Sequence, residues 1–268
     1  MNQKLKLVIF SDLHYLDNQH EEENNSKLTK LALPILEALT DKINNQIKPD
    51  ACIYLGDLIE DTNNYKQDIK NIKYILNKLN KIKVPLYIVL GNHDLRTIPK
   101  EELENILGYS SFSVNIKGFH LILLNLDTKN HLGTGEGGIT KTRYISEEDL
   151  KWLENDLKGN NLPCLIFNHY GIAEDNMEGN YWFSHDKEQA LLANRKELKR
   201  ILKTNKNIIG IFSGHQHWTK RIKEEGLDYY VVGSITENIN NDGTPDGIYL
   251  EVEINENKMK VNENHLNL

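Results

Sequence analysis

Cysteine is scarce in this sequence, and long hydrophobic runs and an excess of basic charge are missing. Only two of the 268 residues are cysteines, Cys52 and Cys164, and each lies within a short apolar run. That setting is typical of small buried side chains rather than of a disulfide or a thiolate site. The longest apolar run near the N-terminus, residues 7–10, is too short for a signal peptide, and no segment approaches the ~20 apolar residues of a membrane span. We therefore expect a soluble, cytoplasmic protein with no membrane partner.

Acidic residues outnumber basic ones. The chain has 32 Lys and Arg against 39 Asp and Glu, which gives a formal net charge of −7. Proteins that hold nucleic acid by their surface field usually carry a basic patch, so an extended nucleic acid is disfavoured as a partner. Hydrophobic residues make up 39% of the chain, enough for a buried core. We expect one α/β domain over residues 1–268, since no internal repeat and no Pro/Gly/Ser-rich linker divides the sequence.

Short β-branched runs alternate with helical patterns in the first half of the chain. Predicted strands at residues 6–10, 51–55 and 86–90 enclose predicted helices near residues 27–45 and 65–79. Because strands and helices alternate, the first half of the chain is predicted to form a β-α-β-α-β unit with parallel strands.

The second half adds antiparallel strands. Lys117-Gly118 joins strand patterns at residues 112–116 and 119–124 as a hairpin. The other predicted elements are strands at 165–167, 208–212, 229–232, 248–252 and 258–261 and helices at 147–157 and 187–203. Residues 128–142 and 171–185 are predicted as long loops. The Gly-rich stretch 133–138 is predicted as a mobile loop rather than a phosphate cradle, because no helix opens directly from it.

Polar side chains follow five of the predicted strands at the point where each strand ends. The segments are Ser11-Asp12-Leu13-His14, Gly56-Asp57, Gly91-Asn92-His93-Asp94, Asn168-His169 and Ser213-Gly214-His215-Gln216-His217. In an α/β sheet, ligands collect outside the carboxyl ends of the strands, so we expect these segments to converge in one crevice.

The converging side chains are carboxylates, an amide and imidazoles, with no thiolate. The candidate metal ligands are Asp12, His14, Asp57, Asn92, His169, His215 and His217. This donor set suits Mn, Fe or Zn and does not suit a Cys-rich structural zinc. Seven ligands are too many for one ion, whereas two ions that share a bridging carboxylate would use them all. Two such ions, ~3.5–4 Å apart, clamp the attacking and leaving oxygens of phosphoryl transfer.

The five segments resemble, in order, the motifs of the calcineurin-like metallophosphoesterases, which are Asp-x-His, Gly-Asp, Gly-Asn-His-Asp/Glu, His and Gly-His-x-His. The resemblance covers residues 10–217 of the chain. It implies a four-layer α-β-β-α sandwich of two mixed sheets. It also implies two ligand sets, Asp12, His14, Asp57 and His217 for one metal ion and Asp57, Asn92, His169 and His215 for the other. In this scheme Asp57 bridges the two ions.

The resemblance also implies how the site would work. Two divalent ions would lower the pKa of a shared water to give a bridging hydroxide at neutral pH, and would withdraw charge from the phosphate oxygens. His93 would not be a ligand, but would stabilise the transition state or protonate the departing oxygen. In many relatives an acid three residues after the bridging Asp orients this histidine. That spacing predicts Glu60. The alternatives are Asp61, which follows Glu60, and Asp94, which follows His93.

Within the family, the segments at Gly56 and Gly91 are most similar to a branch of cyclic-nucleotide phosphodiesterases, purple-acid-type phosphatases and manganese-dependent ADP-ribose/CDP-alcohol diphosphatases. No Arg-Gly follows the acid at Glu60 or Asp61, which argues against phosphoproteins as substrates. Purple acid phosphatases carry a tyrosinate ligand where this chain has those two acids, so a Tyr-ligated iron is disfavoured. The resemblance implies a dinuclear phosphohydrolase for a small phosphodiester or a nucleotide-linked diphosphate.

Three further residues are candidates for substrate contacts. Arg96 could pair with a phosphate oxygen, although an ordinary surface arginine is the plain alternative. Trp182, in the aromatic run 181–183, could stack on a base or simply pack on the core. His185 follows in the same loop after His169 and could lean over the site. The other histidines, His20, His120, His131 and His265, are predicted to lie at the surface.

Three alternative functions remain beside this one: a phosphomonoesterase of the same fold, a nuclease, and a non-catalytic metal-binding scaffold. The acidic charge opposes the nuclease, and no DNA-binding extension is evident in the sequence. The complete ligand set together with His93 favours an enzyme over a scaffold.

Overall fold

The computed structural model describes residues 4–17, 26–132, 139–256 and 258–266. The strands are β1 (Lys4–Phe10), β2 (Ala51–Tyr54), β3 (Leu86–Ile88), β4 (Phe112–Ile116), β5 (Phe119–Leu123), β6 (Asp127–Leu132), β7 (Ile139–Tyr144), β8 (Cys164–Phe167), β9 (Ile208–Ser213), β10 (Lys220–Glu224), β11 (Leu227–Val231), β12 (Ile248–Asn255) and β13 (Lys258–His265). The α-helices are α1 (Ala32–Lys42), α2 (Tyr65–Leu79), α3 (Lys100–Leu107), α4 (Glu147–Gly159) and α5 (Arg195–Leu202).

Two mixed sheets contain most of the strands. The first has the order β13-β12-β1-β2-β3, and β1, β2 and β3 run parallel. The second has the order β10-β11-β9-β8-β5-β4, and β5, β8, β9 and β11 run parallel. Antiparallel strands lie towards the edges, β12 and β13 in the first sheet and β4 and β10 in the second. The β6–β7 hairpin is a separate two-stranded sheet.

Alternation along β1 shows how the layers stack. Leu7 and Ile9 belong to the apolar cluster that joins the two sheets and also contains Phe167 and Phe212. Val8, on the opposite face of the strand, belongs to the cluster that contains the buried faces of the helices. Because successive side chains of a strand point to opposite faces, each sheet packs on the other sheet with one face and on helices with the other. The expected four-layer α-β-β-α sandwich is confirmed.

Helix boundaries agree with the sequence where a local signal marks them. Helix α2 begins at Tyr65, as predicted, because the side chain of Asn64 accepts hydrogen bonds from the backbone amides of Lys66 and Gln67. The predicted helix at 187–203 is wrong in its first part. A 3₁₀ turn at Lys187–Ala190 is followed by an extended stretch in which Leu192 N donates to Gly171 O, and α5 begins only afterwards. Pairing with the segment at Gly171 thus overrides the helical pattern.

One region predicted as a loop, and one region for which no element was predicted, contain regular structure. Strands β6 and β7 pair where a long loop was expected at residues 128–142. The Gly-rich residues 133–138 lie outside the described residues, as does His20. Helix α3 was not predicted, since Leu103 is its one fully buried side chain and the apolar pattern is weak. Pro99 before it and the left-handed Gly108 after it are the signals that would have marked its ends.

Both cysteines are free and buried, on β2 and β8. Burial raises the pKa of the Cys52 thiol to about 12. The prediction that these thiols are small core side chains is confirmed. Among the described residues, no helix combines the length and the apolar character that crossing a membrane requires.

Candidate metal centre

The loops that follow β1 and β2 are tied together by hydrogen bonds at the carboxyl ends of the strands. Asp12 N donates to Gly56 O at 3.0 Å, which continues the β1–β2 ladder beyond its last pair. The hydroxyl of Tyr54 accepts from Leu13 N at 2.9 Å and donates to Asp57 O at 3.0 Å. These contacts hold the two carboxylate-bearing loops side by side.

Several predicted ligands have a left-handed backbone. They are Asp12 (φ 55°), His14 (φ 47°), Asp57 (φ 57°), His215 (φ 68°) and His217 (φ 56°). Such conformations cost about 1 kcal/mol or more in a residue with a side chain, and they persist only where the surroundings enforce them. Gly56, with φ 102°, could not be replaced, because a Cβ there would lie 2.6 Å from Nδ1 of His169.

The first group of ligand atoms consists of Asp12, His14 and His217, all of them buried. The Nε2 atoms of the two histidines are 3.0 Å apart. Oδ1 of Asp12 lies 3.7 Å from Nε2 of His14 and 3.4 Å from Nε2 of His217. The other oxygen of Asp12 accepts from the Ser11 hydroxyl and from His215 N. One carboxylate oxygen and two ring nitrogens therefore face a common point.

The second group consists of Asp57, His169 and His215, with Asn92 beside them. Nε2 of His169 lies 3.4 Å from Oδ2 of Asp57 and 3.1 Å from Oδ1 of Asn92. Nε2 of His215 lies 2.9 Å from Gln189 O, so Nδ1 is the ring nitrogen left for an ion. All seven predicted ligands are thus brought together, in the two sets expected.

Asp57 lies between the two groups. Its Oδ2 atom is 3.8 Å from Nε2 of His14 and 3.4 Å from Nε2 of His169, while Oδ1 accepts from His93 N. Among the described residues, neither Oδ2 of Asp57 nor Oδ1 of Asp12 has a hydrogen-bond partner, although both are buried. Buried carboxylate oxygens without a partner are costly, and cations placed between them and the facing imidazoles would satisfy them. The residues present fit two divalent ions with Asp57 as the bridge.

The imidazoles favour ionised carboxylates in this centre. Burial opposes the ionisation of Asp57, but His169, His93 and His14 outweigh it and hold the pKa of Asp57 well below its usual range. Burial likewise opposes a proton on His169 and on His217, yet the nearby carboxylates raise the pKa of each ring to about 9. Divalent ions and protons therefore compete for the same nitrogen atoms.

Carboxylates outside the ligand set orient two of the ligand rings. Oε2 of Glu60 lies 2.7 Å from Nδ1 of His14, and Oε2 of Glu237 lies 2.6 Å from Nδ1 of His217. The Glu237 contact is a hydrogen bond, whereas the Glu60 contact is an ion-pair distance without hydrogen-bond geometry. A carboxylate at the second nitrogen of a metal-binding histidine typically directs the other nitrogen to the metal. Both rings accordingly present Nε2 to the centre.

The His93 ring lies at the edge of the first group, 4.8 Å from the His14 ring between centroids. Its Nδ1 atom is 2.8 Å from Oδ2 of Asp61 and 3.4 Å from Oε1 of Glu60. The expected role of Glu60 is corrected here, because its nearest partners are His14 and Lys27, whose Nζ lies 2.5 Å away. Asp61 is the acid that meets His93, and it also pairs with Arg96 at 3.2 Å.

Asp94 is not positioned for catalysis, which corrects its inclusion among the catalytic candidates. Its side chain is fully buried and accepts from the backbone amides of Gly91, Asp57 and Leu58 at 2.8–3.0 Å. These bonds hold the loop after β3 against the loop after β2. Asp94 therefore acts on the position of Asp57 rather than on a substrate.

An open cavity of about 1000 Å³ adjoins the centre. Among the residues lining it are His93, His217, Arg96 and Trp182. Trp182 donates from Nε1 to Oε1 of Glu237 at 3.0 Å, and its ring centroid is 5.6 Å from that of His217. The segment predicted as a long loop, residues 171–185, thus contributes an aromatic side chain to the cavity. His185, by contrast, is exposed and is not among the described residues that line the cavity. Phe183 and Asp186, on either side of it in the loop, do line the cavity.

Three residues near the site were not predicted. Lys27 lies against Glu60 and 5.3 Å above the Trp182 ring, Glu237 holds His217, and Arg143 lines the cavity. None of them stands in a strand-end motif, so only the tertiary arrangement brings them to the centre.

His120 is another correction, since it was expected at the surface. It lies on β5 with 3% of its surface exposed, and its ring nitrogens are 2.6 Å from Asn115 and 2.6 Å from Asp156. These polar partners, supplied by β4 and α4, let a histidine occupy a buried strand position. Of the other three, His265 is about half exposed, as predicted, and the side chain of His131 lies outside the described residues.

Comparison with known proteins gives a consistent picture. A model of the family described as calcineurin-like phosphoesterase matches residues 5–219. A probable glycerophosphodiester phosphodiesterase, GpdQ, of Arcobacter nitrofigilis is 29% identical over 182 residues, which cover 65% of this chain and 59% of that protein. The DNA double-strand break repair protein Mre11 of Methanococcus maripaludis is 27% identical over 172 residues, which cover 58% of this chain and 42% of that protein. The chain thus matches about three fifths or less of the length of these relatives.

A solved structure supports the fold. The crystal structure of a dimetal phosphatase from Danio rerio superposes with a TM-score of 0.71, covering 96% of this chain and 98% of that one. The sequences are 14% identical, so this likeness concerns the fold alone.

Proposed function

Because the chain belongs to the calcineurin-like phosphoesterase family, we propose that it hydrolyses a small phosphodiester or a nucleotide-linked diphosphate with two divalent metal ions. The ions are Mn or Fe by preference and Zn as the alternative, since the donors are carboxylates, one amide and imidazoles. The observation that carries this proposal is the position of Asp57, whose buried Oδ2 lies between two sets of ligand atoms without a hydrogen-bond partner among the described residues.

Two bound ions would supply a hydroxide at neutral pH and withdraw charge from the phosphoryl oxygens. The protein's own residues have separate tasks. Asp12 and Asp57 provide the negative charge that retains the ions, and Glu60 and Glu237 keep the rings of His14 and His217 turned inwards.

His93 is the proposed general acid. Its Nδ1 atom is engaged by Asp61, so Nε2 is the nitrogen available to the departing oxygen of a substrate in the cavity. Since Asp57 Oδ1 accepts from His93 N, the backbone of the acid is fixed to the bridging carboxylate. The proposed general acid and the bridging carboxylate thus lie on two neighbouring loops, after β3 and after β2, that are hydrogen-bonded to each other.

The proposed substrate is a small molecule. The cavity of about 1000 Å³ is at the upper end of the range for small-molecule sites. The net charge of −7 disfavours an extended polyanion, which sets the proposal apart from the DNA repair role named for Mre11. The GpdQ relative is named as a probable glycerophosphodiester phosphodiesterase, and a glycerophosphodiester is a small phosphodiester.

The test combines metal analysis with a substrate panel. Protein loaded with Mn²⁺ should contain two ions per chain and should hydrolyse bis(p-nitrophenyl) phosphate, a cyclic nucleotide or ADP-ribose, compared by kcat/KM. A crystal soaked in Mn²⁺ should place both ions against Asp57. One ion alone, or an ion away from Asp12 and His217, would contradict the dinuclear centre. Two ions without hydrolysis of any phosphoester would favour a metal-binding scaffold, and a preference for p-nitrophenyl phosphate would favour a monoesterase.

A further inference from the structure

Arg143 is a buried cation that the proposed chemistry does not use. It lies at the end of β7, is 8% exposed, and lines the cavity beside the metal centre. Among the described residues, its Nε and Nη1 atoms have no hydrogen-bond partner. Two unpartnered nitrogens on a buried guanidinium are costly, because these groups lose their hydration and gain no hydrogen bond in return.

The acids that lie near Arg143 face other groups. Tyr170, Asp57 and Asp61 are near enough for their negative forms to raise its pKa, and two of these are carboxylates. Asp57 directs one oxygen to His93 N and the other, which has no hydrogen-bond partner among the described residues, towards His14 and His169, where a metal ion would bind it. Asp61 binds His93 and Arg96. Within the described ranges, no carboxylate is left to pair with Nε and Nη1 of Arg143, so an anion from outside the chain would fill that place.

A second guanidinium lies close by. Arg96 also lines the cavity, and it is held in place by its contact with Asp61. Burial and, to a lesser degree, the charge of Arg96 lower the pKa of Arg143. Two like charges that both face one cavity repel each other unless an anion lies between them.

We propose that Arg143, together with Arg96, binds an anionic group of the substrate that does not react, and that the preferred substrates therefore carry two adjacent phosphates. This inference rests on the proposed function and narrows it, from a phosphodiester or a diphosphate to a nucleotide-linked diphosphate. One phosphate lies at the metals beside His93, and the neighbouring phosphate accepts hydrogen bonds from the guanidinium of Arg143. The planar fork of arginine suits a phosphate, since it donates two parallel hydrogen bonds.

The position of Arg143 fits a role in binding rather than in retaining the metals. Its backbone carbonyl accepts from Ala193 N, so it belongs to the wall that Leu191 and Ala193 form on the cavity. Tyr170, another lining residue, lies near enough for the charge of Arg143 to affect its hydroxyl, and its ring stacks on His215 at 3.7 Å. Arg143 thus lies on the side of the second ligand group, whereas Trp182 lies on the side of the first.

The test compares Arg143→Gln with wild-type protein on two substrates, both enzymes loaded with Mn²⁺. ADP-ribose presents two adjacent phosphates, and bis(p-nitrophenyl) phosphate presents one. Because a hydrogen bond to a charged group contributes a factor of about 10 to 100, kcat/KM for ADP-ribose should fall by that factor, with little change for the diester and none in metal content. Arg200→Gln, which removes an exposed arginine on α5, is the matched control and should leave both values unchanged.

A binding measurement separates this inference from the proposed function. Calorimetry on the Mn²⁺-loaded protein should show that Arg143→Gln weakens binding of α,β-methylene-ADP much more than binding of AMP. Arg143→Lys, which keeps the charge and loses the fork, should lie between wild type and Arg143→Gln. Equal losses for both substrates and both ligands would place Arg143 on the reacting phosphate and overturn the inference, as would no loss at all. If the wild-type protein hydrolyses no phosphoester, the proposed function fails, and the two binding constants still decide the role of Arg143.

Discussion

Oε2 of Glu237 lies 2.6 Å from Nδ1 of His217, and the second oxygen of the same carboxylate accepts the indole N–H of Trp182 at 3.0 Å. A single buried acid therefore connects a metal-ligand candidate with an aromatic wall of the cavity. Through this contact, the orientation of the His217 ring and the position of the segment after β8 depend on each other.

Replacing Glu237 with Gln should weaken metal binding. The amide lacks the negative charge that raises the basicity of the His217 ring, and loss of such an outer partner typically costs about 10- to 100-fold in metal affinity. Titration of the metal-depleted protein with Mn²⁺ would measure the change. Glu197→Gln, on the exposed side of α5, is the control. An unchanged dissociation constant for Glu237→Gln would mean that His217 does not depend on this acid.

The ligand and general-acid roles can be separated by two substitutions. Asp57→Asn should lose metal, because the substitution removes the negative charge that lies between the two ligand groups. His93→Ala should keep its metal while kcat falls by the ~10²–10⁴ expected when a general acid is lost. Metal content by mass spectrometry and kcat on an aryl phosphodiester are the measurements. Equal metal loss in both variants would show that His93 is itself a ligand.

Asp61 should act through His93 and not on the metals. Asp61→Asn removes the carboxylate that lies 2.8 Å from Nδ1 of His93, so the ring loses the partner that sets its orientation and favours its protonated form. We expect a lower kcat with a nearly unchanged KM, normal metal content, and an alkaline limb of the kcat–pH profile moved to lower pH. Glu60→Gln should differ, because Glu60 contacts the His14 ring and its loss should reduce metal content first. An unshifted pH profile in Asp61→Asn would show that another group sets the state of His93.

The convergence of the ligands could be predicted because it follows from topology. Asp12, Asp57 and His169 each follow the carboxyl end of a parallel strand by two or three residues, and ligands collect outside such ends in an α/β fold. Their local motifs are also short enough to be recognised without a structure. The residues that surround these ligands were harder to predict, and for a physical reason. Glu237 and Arg143 come from a loop after β11 and from the β6–β7 hairpin, and no periodicity along the chain fixes where those segments dock.

The choice between Glu60 and Asp61 shows the same limit at the scale of one residue. Both acids follow the loop of Asp57, and spacing alone favours Glu60. In the folded chain Glu60 meets His14 and Lys27, and this leaves Asp61 for His93. Side-chain direction in an irregular loop depends on its neighbours in space, so sequence spacing could name the pair of candidates but could not choose between them.

The segment that carries Trp182 is anchored by a pH-dependent ion pair. Glu174 accepts from Arg195 Nε at 2.8 Å and from Lys199 at 3.2 Å, and these contacts lower the pKa of Glu174 to about 2 from a usual 4.5. A carboxylate with a lowered pKa stabilises the fold above its usual pKa, and that contribution is lost as pH falls towards 2. Glu174→Gln should therefore lower Tm at pH 7, and the difference from wild type should shrink below pH 4.5 and vanish near pH 2. Glu178→Gln, an exposed acid in the same segment, should change Tm little at either pH. A difference that persists unchanged at pH 2 would assign the effect to packing.

The last prediction concerns selectivity for the base of a nucleotide. Trp182 is half-buried, lines the cavity and lies 5.6 Å from the His217 ring, while the adjacent Tyr181 is 70% exposed. An aromatic ring held at the wall of a cleft by a hydrogen bond to Glu237 is suited to stacking on a base, which contributes ~1–3 kcal/mol in nucleic-acid systems.

Trp182→Ala should therefore reduce kcat/KM for a nucleotide substrate well beyond any loss for a small aryl phosphate ester. Trp182→Phe keeps an aromatic face but loses the N–H that donates to Glu237. This variant should retain most of the selectivity between the two substrates, and any effect of the lost hydrogen bond should appear in both Trp182→Phe and Trp182→Ala. Metal content must be measured in both variants, since that shared effect would act on His217. If Trp182→Ala lowers kcat/KM for the two substrates alike with normal metal content, or lowers it for neither, then the ring lines the cavity without recognising the base.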